Sequence, residues 1–469
     1  MSWQVEMNMK TISFEYYAIL MIVCGSPWLM DAAEPRLSNS RPHAARVSET
    51  VVPVKSEELP APAPATTDSD SPSVETPRKS GSVRTWTLLE LEAIADEIHP
   101  ALQRDRARIE SARGDALQAG LLPNPRFDSN NPQVFNGQNS LFNAGIMQEF
   151  VVKGKKRLDR AAATKVVQQT EFAYVQDRFA LRAAIRQQFY VVLAAERRLK
   201  VLKKLQEISA SSLATGKVLE ERAGQLAHID VLILELDNQR VQAELENSLR
   251  LLQGARNQLA AIVGDPSITS DHFEGSLYAS PPQYDEAILN EFSTSNSAYV
   301  QIAKLDVERS EILLKRAVAE PYPNVTLGPA YQWGLTQGNQ QYWLSVTFPI
   351  PAWDRNQGGI LAAGADVAGA RKNVEAIQLE QLRKVAEAYS RHRAVRAQAT
   401  KYRNEIIPNA MKTLNLARKG FAAGEYDFIR YLQVQRTVIE ANMAYIDLLE
   451  NVWTSAAALS GLLQVETFD

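Results

Sequence analysis

Cysteine and clustered histidine are missing from most of this 469-residue sequence. The single cysteine, Cys24, lies in an apolar N-terminal segment. The chain after it can therefore form neither a disulfide nor a thiolate metal site. We find no nucleophile–base set either, so the sequence supports no catalytic, cofactor or metal site. The five histidines stand singly, at His43, His99, His228, His272 and His392.

Long apolar runs and an excess of basic charge are missing as well. Lys and Arg number 51 against 54 Asp and Glu, a formal net charge of −3. This balance excludes the basic footprint of a nucleic-acid-binding protein. After the N-terminal segment, no apolar run reaches the ~18 residues that a membrane-spanning helix requires. We therefore expect no transmembrane helix in the mature chain.

The N-terminus has the pattern of a targeting segment. Lys10 precedes the apolar run Tyr16–Cys24, which is too short to span a membrane but typical of a signal-peptide core. We predict a signal peptide over residues 1–33, and lipoprotein-type acylation of Cys24 is the alternative. Residues 34–84 are rich in Pro and Ser and poor in large apolar side chains. We expect a disordered tether there.

The second half of the chain repeats the first at an offset of 200 residues. This period is far longer than the roughly 20–50 residues of solenoid repeats, so each copy must be a large half-structure. We assign residues 85–275 to repeat 1 and residues 276–469 to repeat 2. The matching motifs are Leu122-Pro123-Asn124 with Tyr322-Pro323-Asn324, and Ala223-Gly224-Gln225 with Ala423-Gly424-Glu425.

Both repeats have the same predicted order of helix, strand, strand, long helix and long helix. For repeat 1 we predict a helix over 87–120 with a break near Pro100, strands over about 125–135 and 140–151, and long helices over about 155–215 and 227–263. For repeat 2 we predict a helix over 284–320, strands over about 323–335 and 340–350, and long helices over about 358–420 and 426–463. A turn beginning at Gly216 is expected to separate the long helices of repeat 1.

The last helix of each repeat carries an apolar heptad seam that keeps its register across the repeat. The seam extends from Val231 to Ile262 in repeat 1 and from Tyr431 to Leu462 in repeat 2. A seam of more than four heptads predicts coiled-coil packing. A helix of about 60 residues would be about 90 Å long, which indicates a rod or tube.

The predicted strands alternate between apolar and polar side chains. A half-buried sheet of a soluble protein gives this alternation, and so do lipid-facing strands of an outer-membrane barrel. Four strands are too few for such a barrel, whose practical minimum is about eight, and lipid does not tolerate an open sheet edge. If the strands cross a membrane, several chains must share one barrel. In repeat 2 the apolar set is Val325, Leu327, Pro329, Tyr331, Trp333, Leu335, Tyr342, Leu344, Val346, Phe348 and Ile350.

Two motifs follow the predicted hairpins. Gln148–Phe150 leads into Gly154–Arg157, and Phe348–Trp353 leads into Asp354–Gly358. Together with the tandem repeats, they make residues 85–465 similar to the TolC-like outer-membrane efflux family. The second motif most resembles the heavy-metal branch, the CzcC-like and CusC-like proteins. The chain departs from the family in its long Pro-rich tether and in a weakly amphipathic first strand.

The resemblance implies a mainly α fold with a small β part. Long coiled-coil helices would form an α-helical barrel, and four strands per chain would contribute to the shared β-barrel of a homotrimer. The chain would be a passive duct in the outer membrane of a Gram-negative-type envelope, in contact with its lipid and mostly periplasmic. Its partners would be a periplasmic adaptor (a membrane-fusion protein) and an inner-membrane pump of the resistance-nodulation-division class.

The cargo expected from this branch is heavy-metal cations, with drugs as a second possibility. The resemblance implies neither an enzyme activity nor a cofactor. The alternative is a periplasmic or surface structural coiled-coil protein without a pore. In that protein the short hairpins would only pack on the helices.

The turns that join the two long helices of each repeat contain Gly224, Gln225, Gly424 and Glu425. Glycine supplies the positive φ that such a turn needs, and the resemblance implies that these tips face the adaptor. Carboxylates lie nearby. A symmetric ring of carboxylates at a pore constriction would favour cations and hold a gate shut, whereas solvated charges or local ion pairs are the alternative. The candidate gate residues are Asp427, Asp230 and Glu221.

The remaining candidates lie where a strand returns to a helix. Their spacing is not that of a phosphate-binding Walker motif. We predict instead that Gly and Pro permit the strand-to-helix turn and that polar residues mark the boundary between membrane and periplasm. These residues are Gly154, Lys155, Asp354, Arg355, Asn356 and Gly358.

Overall fold

The structure, a computed structural model, describes residues 84–129, 137, 140–223, 227–270, 272–334, 340–423 and 425–468. Repeat 1 contains strand β1 (Thr85–Thr87), helices α1 (Leu88–Ile98) and α2 (Pro100–Gly120), strands β2 (Arg126–Asp128) and β3 (Leu141–Phe150), helices α3 (Lys155–Ala223) and α4 (His228–Val263), and strand β4 (His272–Glu274). Repeat 2 contains α5 (Glu286–Ser295), α6 (Ala298–Ala319), β5 (Val325–Gly334), β6 (Gln341–Thr347), α7 (Gln357–Lys401), α8 (Ile407–Ala422) and α9 (Phe428–Leu462). The mainly α fold and its tandem repeat are confirmed.

Local capping fixes where the short helices begin and end. Thr87 and Glu90 form a capping box at the start of α1, which satisfies backbone amides that no helical carbonyl reaches. Pro100 is the first residue of α2, where a missing amide hydrogen costs nothing, so the predicted break is confirmed. The continuous helix predicted over 284–320 was wrong, because Ser297 caps a new helix by accepting a hydrogen bond from Val300 N–H.

The long helices differ from prediction at two places. Helix α3 continues through Gly216 to Ala223, so the turn expected to begin at Gly216 was wrong. One glycine costs a helix only about 1 kcal/mol, which packing along 69 residues outweighs. In repeat 2 a π-helical turn, Tyr402–Ile406, separates α7 from α8. Pro408 explains it, because proline lacks an amide hydrogen and clashes with the carbonyl four residues earlier.

The heptad seams are confirmed as packing positions. In α4 the seam residues Val231, Val241 and Leu259 are buried, and in α9 Val438 and Val452 are buried. Helix α4 packs along α3 of its own repeat, and α9 packs on both α3 and α7. The described residues therefore belong to one compact unit in which α3 touches both repeats.

An aromatic core lies where α3, α4 and α9 meet the parallel pair of β1 and β4. The rings of Tyr190 and Trp453 stack with centroids 4.2 Å apart, and Phe189 meets Phe273 edge to face at 6.2 Å. Trp453 Nε1 donates to the Leu277 carbonyl at 3.0 Å. The short parallel pair joins the beginning of repeat 1 to its end, which the sequence did not predict because three-residue strands carry too little pattern.

Candidate functional site

Strands β2, β3, β5 and β6 form one antiparallel sheet in that order. The register places Phe127 opposite Ile146, Gln148 opposite Leu327, and Leu327 opposite Val346. Because side chains on directly opposite residues share a face, one face of the sheet is apolar across all four strands, with Gln148 as its polar exception. Its members are Phe127, Phe142, Ala144, Ile146, Gln148, Phe150, Val325, Leu327, Pro329, Tyr331, Trp333, Tyr342, Leu344 and Val346.

The apolar face is open in the single chain. Tyr342 is 87 % exposed, Leu344 63 % and Phe127 74 %. Among the described residues, the strands of the sheet make their extensive contacts with one another, and no helix there packs broadly over this face. An apolar surface of this extent needs a hydrophobic partner.

The opposite face is mostly small or polar. Most of its residues are Thr, Ser, Gln, Asn, Gly, Ala or charged, and Trp343 is the aromatic exception that the sequence already showed. The strand predicted over 125–135 is observed only at Arg126–Asp128, and residues 130–136 lie outside the described residues. Within the described residues, β2 and β6 each pair on one side only. The sheet therefore has two open edges.

The two hairpins have the same register at the 200-residue offset. Phe127 opposite Ile146 in repeat 1 becomes Leu327 opposite Val346 in repeat 2, and Asp128 opposite Gly145 becomes Gly328 opposite Ser345. The repeat is therefore preserved at the level of individual residue pairs, which the sequence could only suggest.

The strand-to-helix junction of repeat 1 is joined to repeat 2 by a buried lysine. Gly154 takes a left-handed conformation, φ 66°, in the turn between β3 and α3. Lys155 begins α3, and its Nζ donates to the Glu320 carbonyl at 3.3 Å and to Asn324 Oδ1 at 3.2 Å. Asn324 Nδ2 in turn donates to Glu149 Oε1 at 2.7 Å. Lys155 thus links the repeats rather than marking an exposed boundary.

A carboxylate supports this link. The hydrogen bond from Arg316 lowers the pKa of Glu320, and the positive charges of Arg316 and Lys155 act in the same direction. Glu320 therefore stays ionised beside the buried lysine, 3.7 Å from its Nζ. The repeated Pro-Asn motif was the available sequence signal for Asn324, but its lysine partner, 169 positions away, was not predictable.

The junction of repeat 2 is built differently. Asp354 Oδ1 accepts from Asn356 N–H at 2.8 Å, and Asn356 is left-handed at φ 57°. Its Nδ2 donates to the Ala317 carbonyl at 2.9 Å. Arg355 is exposed in this turn, but Gly358 lies inside α7. The prediction that Gly358 forms the turn was wrong, because Asn356 supplies the left-handed residue.

The helix tips are only partly described. Gly224, Gln225 and Gly424 lie outside the described residues. Glu425 is exposed, and its backbone N–H donates to the Gly420 carbonyl at 2.8 Å. The Tyr426 ring covers Gly420 so closely that a Cβ there would lie 2.5 Å from it. This Gly–Tyr contact shapes the repeat 2 tip, and the sequence analysis missed it.

The candidate gate carboxylates have separate local roles. Asp427 caps α9, because its Oδ1 accepts from Arg430 N–H at 2.9 Å. Asp230 lies in the first turn of α4, where a negative charge is favourable, and Glu221 is exposed near the end of α3. These positions neither require nor contradict a gate, which stays a prediction.

Metal ligands and membrane-spanning helices were sought among the described residues. No group of three or more His, Cys, Asp or Glu side chains there is arranged to hold a metal ion. In the same part of the chain, no helix is both long and apolar enough to cross a membrane.

Comparison with known proteins shows what the chain is similar to. Residues 293–464 match the family described as outer membrane efflux protein. The cobalt-zinc-cadmium resistance protein CzcC of Cupriavidus metallidurans is 25% identical over 356 residues, 76% of this chain and 84% of CzcC. The nickel-cobalt-cadmium resistance protein NccC of Alcaligenes xylosoxydans xylosoxydans is 23% identical over 355 residues, 72% of this chain and 76% of NccC.

The fold has solved counterparts. A crystal structure of CusC aligns with a TM-score of 0.70 at 14% identity, covering 85% of this chain and 98% of CusC. Together these matches confirm the similarity to the TolC-like outer-membrane efflux family and to its heavy-metal branch.

Proposed function

We propose that three copies of this chain form a passive outer-membrane duct that exports heavy-metal cations received from an inner-membrane pump. The observation that carries the proposal is the four-stranded sheet, with its continuous apolar face and two open edges. Lipid would cover the exposed apolar side chains. The backbone of neighbouring copies would hydrogen-bond to the two open strand edges. Twelve shared strands exceed the practical minimum of about eight for a closed barrel.

The helices support the same function. At 1.5 Å per residue, the 69 residues of α3 span about 100 Å, long enough to cross much of a periplasm. In the part of the chain that the structure describes, the sheet makes no extensive contact with these helices, which argues against the alternative of a structural coiled-coil protein with packed hairpins. We assign the helix tips around Glu425 to the periplasmic adaptor and the pump to the resistance-nodulation-division class.

The cargo assignment rests on the curated relatives, which are cobalt-zinc-cadmium and nickel-cobalt-cadmium resistance proteins. A duct needs no resident metal site, so selection would occur upstream. In this proposal the chain acts as a conduit and not as an enzyme. Its location is the outer membrane, with most of the helical part in the periplasm.

Neighbouring residues on opposite faces of β6 give the sharpest test of the membrane assignment. Arginine placed on a lipid-facing strand costs about 2–4 kcal/mol at the bilayer midplane. We expect Leu344→Arg to abolish recovery of the heat-modifiable trimer from outer-membrane fractions, and Ser345→Arg, on the opposite face, to leave it nearly unchanged. Equal recovery of both variants, or a wild-type chain that fractionates as a soluble monomer, would refute the duct.

The cargo is tested by gene deletion and challenge with Zn, Co, Cd, Ni, Cu and a drug panel. We expect sensitivity to at least one divalent metal, restored by the wild-type gene but not by the Leu344→Arg gene. Sensitivity to drugs alone would overturn the metal assignment and leave the duct standing.

A further inference from the structure

All four strands of the sheet meet the helices at one end. Phe150, which ends β3, lies opposite Val325, which begins β5. Strand β2 begins and β6 ends at this same end, so helices α2, α3, α6 and α7 all connect to the sheet here. In the proposed duct this end of the sheet faces the periplasm, because the helices extend from it.

Four basic side chains lie where β3 turns into α3. Lys156, Arg157 and Arg160 are three or four residues apart, so they share one face of the first turns of α3. Lys153 precedes them, with its Nζ 4.2 Å from the centroid of the Tyr322 ring. Three of the four side chains are exposed, and Lys156 is partly exposed. We call Lys153, Lys156, Arg157 and Arg160 the basic collar.

The carboxylates in the surrounding sequence are already paired elsewhere. Asp159, in the same stretch of chain, pairs with Arg316 at 2.8 Å. Glu320 also pairs with Arg316 and lies 3.7 Å from the Nζ of the buried Lys155. Among the described residues, no member of the basic collar forms an ion pair. The four charges are therefore available to an anion from outside the chain.

The fold itself does not require the basic collar. Repeat 2 makes the same transition from strand to helix, yet α7 has no basic residue before Arg371. Positive charge at the start of a helix is also unfavourable, because the helix dipole is positive there. Helix stability therefore does not explain these residues, whereas binding of an external anion would explain them.

An exposed tryptophan lies at the same end of the sheet. Trp353 is 92 % exposed and Ile350 79 % exposed in the turn between β6 and α7. This turn is hydrogen-bonded to the end of α6 through Asn356, and Lys153 contacts Tyr322 just beyond that helix end. Tryptophan is enriched at membrane–water interfaces, because its ring is amphipathic. Basic and aromatic side chains thus surround the end of the sheet.

We propose that the basic collar and Trp353 bind the head groups of anionic phospholipids in the periplasmic leaflet of the outer membrane. The inference rests on the proposed duct and adds the class of lipid that surrounds its periplasmic end. Arginine presents paired N–H donors that match phosphate oxygens. Each basic residue near an anionic membrane surface strengthens binding roughly fivefold. A lipid fits better than a soluble anion, because its acyl chains would lie on the apolar face that begins at this end.

Lipid binding to the delipidated trimer tests the proposal. Purified trimer in a non-ionic detergent is incubated with dioleoylphosphatidylglycerol or dioleoylphosphatidylcholine, which have the same acyl chains but differ in head-group charge. Native mass spectrometry then counts the lipids bound to each trimer. We expect the wild-type trimer to bind phosphatidylglycerol about tenfold more tightly than phosphatidylcholine. Raising NaCl from about 0.05 to about 0.5 M should reduce this preference, because salt screens exposed charges.

Neutralising the basic collar should remove the preference. The collar variant leaves Lys155 unchanged, because that residue links the repeats, and carries Lys153→Gln/Lys156→Gln/Arg157→Gln/Arg160→Gln. It should bind the two lipids with nearly equal affinity. The matched control neutralises four exposed lysines of the same helix, at least about 60 Å from the collar at 1.5 Å per residue, as Lys200→Gln/Lys203→Gln/Lys204→Gln/Lys217→Gln. It has the same net charge as the collar variant and should keep the wild-type preference.

A third variant separates anchoring by the tryptophan from recognition of charge. Trp353→Ala should weaken the binding of both lipids severalfold and leave the ratio of their affinities unchanged. Loss of the ratio in this variant would contradict the division of roles between Trp353 and the basic collar.

The outcomes separate this inference from the proposed function. Equal affinity of the wild-type trimer for both lipids, or a preference that survives in the collar variant, would overturn the lipid site and leave the duct intact. Displacement of phosphatidylglycerol by an excess of inorganic phosphate would also overturn it, because the site would then recognise a free anion. Absence of any trimer in the wild-type chain would overturn the duct itself.

Trimer recovery is checked for each variant before lipid is added. If the collar variant does not assemble, the salt titration of the wild-type trimer tests the same charges without a substitution. A preference for phosphatidylglycerol that does not change with salt would then overturn the lipid site.

Discussion

Helices α3 and α7 occupy equivalent places in the two repeats, yet their surroundings differ. Helix α3 packs against α2 and α4 of its own repeat and against α6 and α9 of the other. Helix α7 packs mainly on α5, α6 and α9. Large side chains of α3 such as Arg186 and Phe189 are buried against its neighbours, whereas Gly358 and Gly369 of α7 have open space where a Cβ would lie.

This difference in packing shows that, within a single chain, a tandem repeat surrounds one copy of an element more completely than the other. The single chain provides α3 with neighbours on both flanks, because repeat 2 follows repeat 1. Among the described residues, α7 packs mainly on α5, α6 and α9, and β6 pairs on one side only, so the outer flank of α7 and the edge of β6 are open there. Helix α3 is therefore the more enclosed of the two long helices, whereas each repeat contributes one open strand edge, β2 in repeat 1 and β6 in repeat 2.

The largest expected effect comes from removing the buried arginine of α3. Arg186 is fully buried and donates to both Glu92 oxygens, Ser460 Oγ and the carbonyls of Val465 and Glu466. Arg186→Ala leaves Glu92 buried without its partner, which typically costs about 3–5 kcal/mol. We expect a large fall in the thermal unfolding temperature measured by circular dichroism.

A matched change in α7 completes that experiment. Arg383 is exposed and pairs with Glu380 and Glu387, and solvent screens such pairs. Arg383→Ala should leave the unfolding temperature nearly unchanged. A similar loss in both variants would show that α3 and α7 do not differ in burial as described.

The next effect concerns assembly rather than folding. Gln169 of α3 donates to the Ile302 carbonyl of α6 at 3.3 Å, and the residue 200 positions later is Gly369. If a second copy packs there, Gly369→Leu should reduce the trimer fraction in size-exclusion chromatography without lowering monomer helicity. Gly369→Ala adds little volume and should assemble normally. Normal assembly of the leucine variant would contradict an interface at this flank.

A smaller effect is expected at the helix tips, where the repeats also differ. Helix α9 is capped by Asp427, but α4 begins after Ala227 with no side-chain cap. Asp427→Ala should cost about 1 kcal/mol of local stability, seen as faster amide exchange in the first turn of α9. Asp427→Asn keeps the cap and removes the charge, so altered conductance in that variant would indicate a gate, whereas a change confined to Asp427→Ala would be due to loss of the cap.

The smallest effect is a pH dependence confined to repeat 2. His392 of α7 is buried, with Nδ1 2.9 Å from Ser455 Oγ, while Nε2 has no partner among the described residues. Burial lowers the pKa of His392 below its usual 6.5, and the charge of Arg396 adds to this. The residue 200 positions earlier, Val192, is fully buried and apolar.

Proton linkage determines whether His392 makes the folded protein more or less stable as the pH falls. The unfolded chain binds a proton at His392 more readily than the folded protein, so stability present above pH 6.5 is lost as the pH falls below it. His392→Leu should flatten the dependence of the unfolding temperature between pH 7 and 5. An unchanged slope would assign the dependence to other groups.

Much of this architecture could be predicted from local pattern. The Pro100 break, the Gly264 helix end and the β5–β6 alternation depend on neighbouring residues, so the sequence shows them directly. The interruption at Tyr402–Ile406 and the Tyr426–Gly420 contact escaped prediction. Both depend on how a long helix accommodates a proline or a ring from the following turn.

The sequence by itself determined the 200-residue repeat, the heptad seams and the apolar face of the strands, because periodicity is a property of residue order. Only the tertiary structure decided that Lys155 joins the repeats through Asn324, that Arg186 is buried, and that β6 and β2 are left open. Such pairings bring together residues more than 90 positions apart. Burial and unpaired edges are set by which elements become neighbours, which no local pattern specifies.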